Sequence, residues 1–196
     1  HEIHFITYNL PVRLDLLNPN VHFHEVTVPE YPLFHYQPYE LALSSKLVDM
    51  VKLHNIEVLH VHYAIPHAYA AYMAQKMLLE DGIFVPIVTT LHGTDITLVG
   101  NHPFYKPAVT FSINKSNAVT TVSQSLKDDT LRLFDIKNEI NVVTNFIDMT
   151  KFEHKFTDCK RSAMAEDHEK IITHISNLRA VKRIPDVIKI FNNIQK

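Results

Sequence analysis

Histidine is the residue through which this chain could do most chemistry: it supplies 14 of the 196 positions. His60, His62 and His67, with Tyr63 among them, gather where a short apolar run over residues 57–61 ends. Alternate residues of a strand face the same way, so a His-x-His pair could hold zinc. No third ligand of settled spacing accompanies it, so no metal is expected; His60 reads as a packed or hydrogen-bonded core histidine, and His62 and Tyr63 as lining the same crevice as His92. A second position is His92, in the run PIVTTLHGTDITLVG over residues 86–100. Its apolar part, rich in β-branched side chains, reads as a buried strand over 85–91. His92, Thr94 and Asp95 follow at the carboxyl end of that strand. Ligands of open α/β sheets bind in the crevice outside those ends. Position alone leaves His92 open between two readings. One is a turn histidine, with Thr94 or Asp95 capping the next segment; the other is a polar group aimed into a ligand cleft. A third patch is the loop NLRAVKR over residues 177–183, which sets Arg179, Lys182 and Arg183 just before a helix. Helix amino termini favour phosphate, and added cations strengthen that preference. A solvated basic loop is the alternative.

Other chemistries are excluded. Three glycines, Gly82, Gly93 and Gly100, cannot build a G-x-G-x-x-G fingerprint or a P-loop. Ser123 and Ser125 lie outside any G-x-S-x-G elbow, and Cys159 has no partner, which argues against a Ser or Cys hydrolase. A formal charge of −2 gives no support for nucleic-acid or membrane-surface partners. A single cysteine fits a reducing compartment, and no apolar run reaches membrane-span length. A cytoplasmic location is expected.

The elements that must position these groups alternate along the chain. Strands are expected over 2–8 and 22–28, separated by a loop containing Asn18, Pro19 and Asn20. Residues 29–38 carry three prolines and several aromatics and read as an aromatic-lined loop. A helix over 39–54 leads to the strand over 57–61. Pro66 suits the first turn of a helix running to Glu80, and Asp81-Gly82 stops it. The strand over 85–91 follows, then a helix over 104–115 and a strand over 118–122. Ser123 caps a helix over 124–134, and a strand spans 140–144. This order argues for a mostly parallel α/β sheet. Residues 1–149 form that domain. Residues 150–168 read as a linker with one short helix near 160–165. Residues 169–196 begin a second α/β unit, with a strand over 170–176 and a helix over 186–194.

At this point the motifs resemble a known group. HEIHFIT, FHEVTVPEYPLFHYQPYELAL, LHVHYAIPHA, IVTTLHGTDIT, VTTVSQSL, NFID and HISNLRAVKRI together resemble the bacillithiol-pathway retaining glycosyltransferases of the two-domain GT-B type. The resemblance covers nearly the whole chain, although Leu178 stands where that group often has Phe. It implies a hexosyltransferase that moves N-acetylglucosamine from UDP-GlcNAc to the hydroxyl of L-malate, with no metal or other cofactor. A homodimer is compatible with it. By position, His92 is implied as the catalytic residue beside the donor sugar. Tyr63, Thr90 and His92 are implied to face malate; Asn145, Arg179 and Lys182 are implied to hold the donor. Within the GT-B plan the chain corresponds mostly to the amino-terminal Rossmann-like domain. The group's opening strand and glycine-rich loop have no counterpart here, nor does most of its second domain. Two strands are therefore expected to lack partners, and the 196-residue chain alone is expected to show no transfer. A UDP-sugar 2-epimerase and a non-catalytic remnant of the same fold are the competing readings.

Overall fold

The computed structural model describes residues 1–30, 36–152 and 160–194. Part of the expected aromatic loop, and Cys159, lie outside the described residues. The chain divides into two compact units, His1–Phe146 and Ile147–Lys196.

The first unit is built on parallel ladders. β1 (Ile3–Thr7) pairs with β2 (Val21–Glu25). β3 (Leu59–His62), β4 (Ile87–Leu91), β5 (Ala118–Thr121) and β6 (Ile140–Val142) form a second sheet in sequence order. All observed pairings are parallel, as the alternation of strands and helices requires. Each described strand pairs with at least one neighbour, β1 only with β2 and β3 only with β4. What is absent among the described residues is a ladder joining the two sheets.

Helices cover one side of these strands. α1 (Tyr39–His54) keeps the predicted bounds and buries Leu43, Leu47, Met50 and Val51. It packs on α2 (Tyr69–Glu80), whose buried stripe is Ala70, Ala71, Ala74 and Leu78. Small side chains at this spacing let the two helices approach closely, and Val26, Leu59, Val85 and Ile87 close the same core. α3 (Lys106–Lys115) and α4 (Gln124–Leu133) build a second cluster with Leu91, Ile96, Val119 and Ile140. Polar groups inside this sheet are paired: Asn117 Oδ1 accepts from the buried Ile87 N at 2.9 Å, and Thr89 and Ser116 share a 2.7 Å bond.

Two expectations change. Pro66 does not open α2. It lies in a wide turn over Ala64–Ala68, because Ile65 before it is extended (φ −131°, ψ 143°) and α2 starts only at Tyr69. In the second unit, residues 170–176 form no strand; among the described residues no segment supplies a ladder for them. The described elements of that unit are three 3-10 turns, Met149–Phe152, Lys160–Ala163 and Ala180–Lys182, and α5 (Ile184–Ile194).

The predicted cap is present: Ser123 Oγ accepts from Leu126 N at 3.2 Å. Ser123→Ala is expected to lower stability by about 1 kcal/mol, and Ser123→Asp to retain it, in urea unfolding followed by circular dichroism.

Candidate functional site

The site grows from the carboxyl ends of β3 and β4. The ladder sets His62 opposite Thr90 and His60 opposite Val88. With a side-chain period of two, His60, His62, Thr90 and His92 then share one face, and the next ladder adds Thr120 opposite Thr90. That face is polar. The opposite one carries Leu59, Ile87, Leu91, Val119 and Ile140, all buried.

Hydrogen bonds lace the polar face together. His62 Nδ1 and His92 Nε2 share a bond of 2.8 Å, and His60 Nε2 shares one of 2.8 Å with Thr90 Oγ1. Thr90 Oγ1 also bonds Thr120 Oγ1 at 2.7 Å. His67 Nδ1–H donates to the His62 carbonyl at 2.6 Å. The rings of His60 and His62 stack at 4.8 Å, and Tyr63 lies 4.9 Å from His92. His60, expected as a core histidine, is exposed at this edge of the sheet but keeps its hydrogen bond.

The loops that carry these rings are fixed by Asp95, which is 3% exposed. Its Oδ2 accepts from Ala64 N at 2.9 Å, and its Oδ1 accepts from Gly93 N at 3.0 Å and His92 N at 3.3 Å. One carboxylate thus holds the loop after β3 and the loop after β4. Two backbone features make this geometry attainable. Gly93 takes φ +111°, a conformation that side chains disfavour. A Cβ at Gly100 would lie 1.7 Å from the Asp95 carbonyl oxygen, so only glycine allows that approach. Tyr63 takes φ 76°, a strained value held by Tyr63 N donating to Thr90 O at 2.9 Å.

Beside the histidines lies a cleft of about 680 Å³ whose wall is mainly apolar. Tyr36, Tyr63, Tyr69 and Tyr105 line it, with Glu40 and Thr94 as polar points. Aromatic walls with few polar groups suit a small organic ligand.

The structure brings Tyr63, Thr90 and His92 together, Thr90 with its hydroxyl engaged by His60 and Thr120. Asn145 is exposed in the segment after β6. Arg179 and Lys182 belong to the second unit, where they are exposed around the Ala180–Lys182 turn before α5. Arg183, at φ 50°, is instead tied to Asp186 Oδ2 at 2.6 Å. The roles of Asp95 as a brace and of Thr120 as a partner escaped the sequence reading. The register of β4 against β5 was the missing information.

A sequence profile described as Glycosyltransferase Family 4 matches residues 1–151. The chain belongs to this family. It is also 48% identical over 195 residues to N-acetyl-alpha-D-glucosaminyl L-malate synthase of Bacillus anthracis. That alignment covers 99% of this chain and 50% of the relative, so the chain spans about half the relative's length. Parallel sheets flanked by helices are the α/β architecture expected of one Rossmann-like domain of the GT-B type. Among the described residues, no helix is long and apolar enough to cross a membrane.

Two outcomes test this site. Asp95→Ala strands buried amides of both loops and is expected to cost about 3 kcal/mol or more in urea unfolding, with Asp95→Asn intermediate. Burial, then the neighbouring His60, His92 and His67, lowers the His62 pKa from 6.5. The unfolded chain therefore takes up a proton more readily. Stability from His62 is present above pH 6.5 and is lost as pH falls through its lower folded value. His62→Gln is expected to flatten the fall in unfolding midpoint between pH 7.5 and 5.

Proposed function

We propose that this chain is the acceptor-side part of a cytoplasmic retaining glycosyltransferase. The enzyme moves N-acetylglucosamine from UDP-GlcNAc to the hydroxyl of L-malate, in bacillithiol biosynthesis. The observation that carries this reading is the 48% identity to the named synthase across 99% of the chain. The imidazole row at the ends of β3 and β4 adds chemical support. The bond from the sugar to UDP breaks, the malate oxygen takes its place, and the hydroxyl proton is released.

His92 is the residue proposed to act at the reacting carbon. Its bond to His62 fixes its ring, and its N–H or lone pair is presented at the strand end. Tyr63 and the histidines offer donors for the two carboxylates of malate. Negative charge grows on the departing diphosphate. Arg179 and Lys182, exposed before α5, are the cations proposed to meet it, with Asn145 as a further donor-side contact. These groups supply the charge stabilisation a metal gives elsewhere, so the transfer is proposed to need no metal. The partners are the two substrates, with no nucleic acid or membrane, and a homodimer as the assembly. The identity favours transfer over the epimerase and the non-catalytic remnant.

The test is UDP release from UDP-GlcNAc by the full-length gene product, with and without L-malate, in excess chelator. Malate-dependent, chelator-resistant release is expected. His92→Ala is expected to lower turnover about a hundredfold or more while UDP affinity changes little. Release only with another acceptor removes malate, and no release with any acceptor removes the enzyme reading. An equal loss of UDP affinity reassigns His92 to the donor grip.

A further inference from the structure

A second group of histidines lies on the other sheet, apart from the row at β3 and β4. The β1–β2 register sets His4 opposite His22 and Ile6 opposite His24. The period of two places Glu2, His4 and Ile6 on one face of β1, and His22 and His24 on the same face of β2. Ile6 packs there against the core that includes Leu43, Leu47 and Val51 of α1. His54, in the last turn of α1, completes the group. Ring centroids stand 4.4 Å apart for His4 and His54, 5.1 Å for His4 and His24, and 5.2 Å for His24 and His54.

We propose that His4, His24 and His54 form a binding site for a borderline divalent transition cation, zinc being the best fit, with the fourth position left to solvent. One ligand atom from each histidine lies within 4.8 Å of the other two. His4 Nδ1 and His24 Nε2 are 2.8 Å apart. Two nitrogens on a tetrahedral zinc stand about 3.3 Å apart, so the rings need only a small separation. The His4 side chain is 4% exposed, yet its Nε2 is buried with no hydrogen-bond partner. Glu2 Oε2 is 3.9 Å from that nitrogen, too far for a hydrogen bond, and it groups with His4 and His22 rather than with His24 and His54. Both His4 and His24 have lowered pKa values, first through burial and then through neighbouring histidines, with Lys46 adding to the effect on His24.

Three imidazoles prefer zinc, copper or nickel to magnesium or calcium. The bound ion would join β1, β2 and the carboxyl end of α1. A cation there also complements the negative end of the α1 dipole. Its role is structural, and it stands on different residues from those proposed for sugar transfer.

The test uses full-length protein stripped of metal and titrated with zinc against a chromophoric indicator, with thermal unfolding in parallel. One tight equivalent and a raised Tm are expected, with no response to magnesium at the same concentration. His54→Gln and His24→Gln are expected to weaken the equivalent by about tenfold or more, since even outer-shell partners are worth that much. His62→Gln is expected to leave it intact. His54, at a helix end, carries the test if His24→Gln fails to fold. No zinc retained by the wild type overturns the site, as does an equivalent that survives His54→Gln or disappears in His62→Gln.

Discussion

The buried carboxylate of Asp95 is the interaction on which the strand-end geometry depends. A charge at 3% exposure is tolerable only if hydrogen bonds replace its water, and three backbone amides do so. Because those amides belong to two different loops, the carboxylate fixes the distance between the ends of β3 and β4. The 2.8 Å contact between His62 and His92 follows from that fixed distance. Glycine at 93 and 100 serves the same brace, one by its dihedral and the other by its lack of a side chain.

Above this brace the parallel register does the remaining positioning. Thr90 and Thr120 are opposite each other on adjacent strands, and their hydroxyls extend the histidine row inward. A row of imidazoles and hydroxyls can pass a proton or hold a charge at any of several points. Tyrosines give the adjoining open cleft a largely apolar wall.

Much of this was legible in the sequence where local physics decides. The 39–54 helix announces itself by its apolar stripe, Ser123 by its place before a helix, and β4 by its β-branched run. The strand expected over 170–176 shows the limit: KIITHIS has the composition of a strand, but strands exist only as pairs. Pro66 shows another, since the extended residue before a proline delayed the helix by three positions. The convergence of His4, His24 and His54 could not be read from spacing. It needs a parallel register across β1 and β2, and a helix end brought over it from 30 residues further on. Asp95 was visible as a polar strand-end residue, but which amides it would collect depended on the β3 loop folding back.

The two sheets share no hydrogen-bonded ladder among the described residues and meet through apolar packing around Val26, Leu59 and α1. Backbone hydrogen bonds carry cooperativity along a sheet, whereas apolar contact is non-directional and yields locally. Within the one compact unit His1–Phe146, the coupling between the sheets is therefore carried by a shared apolar core in which α1 and α2 bridge Val26 of one side to Leu59 and Ile87 of the other.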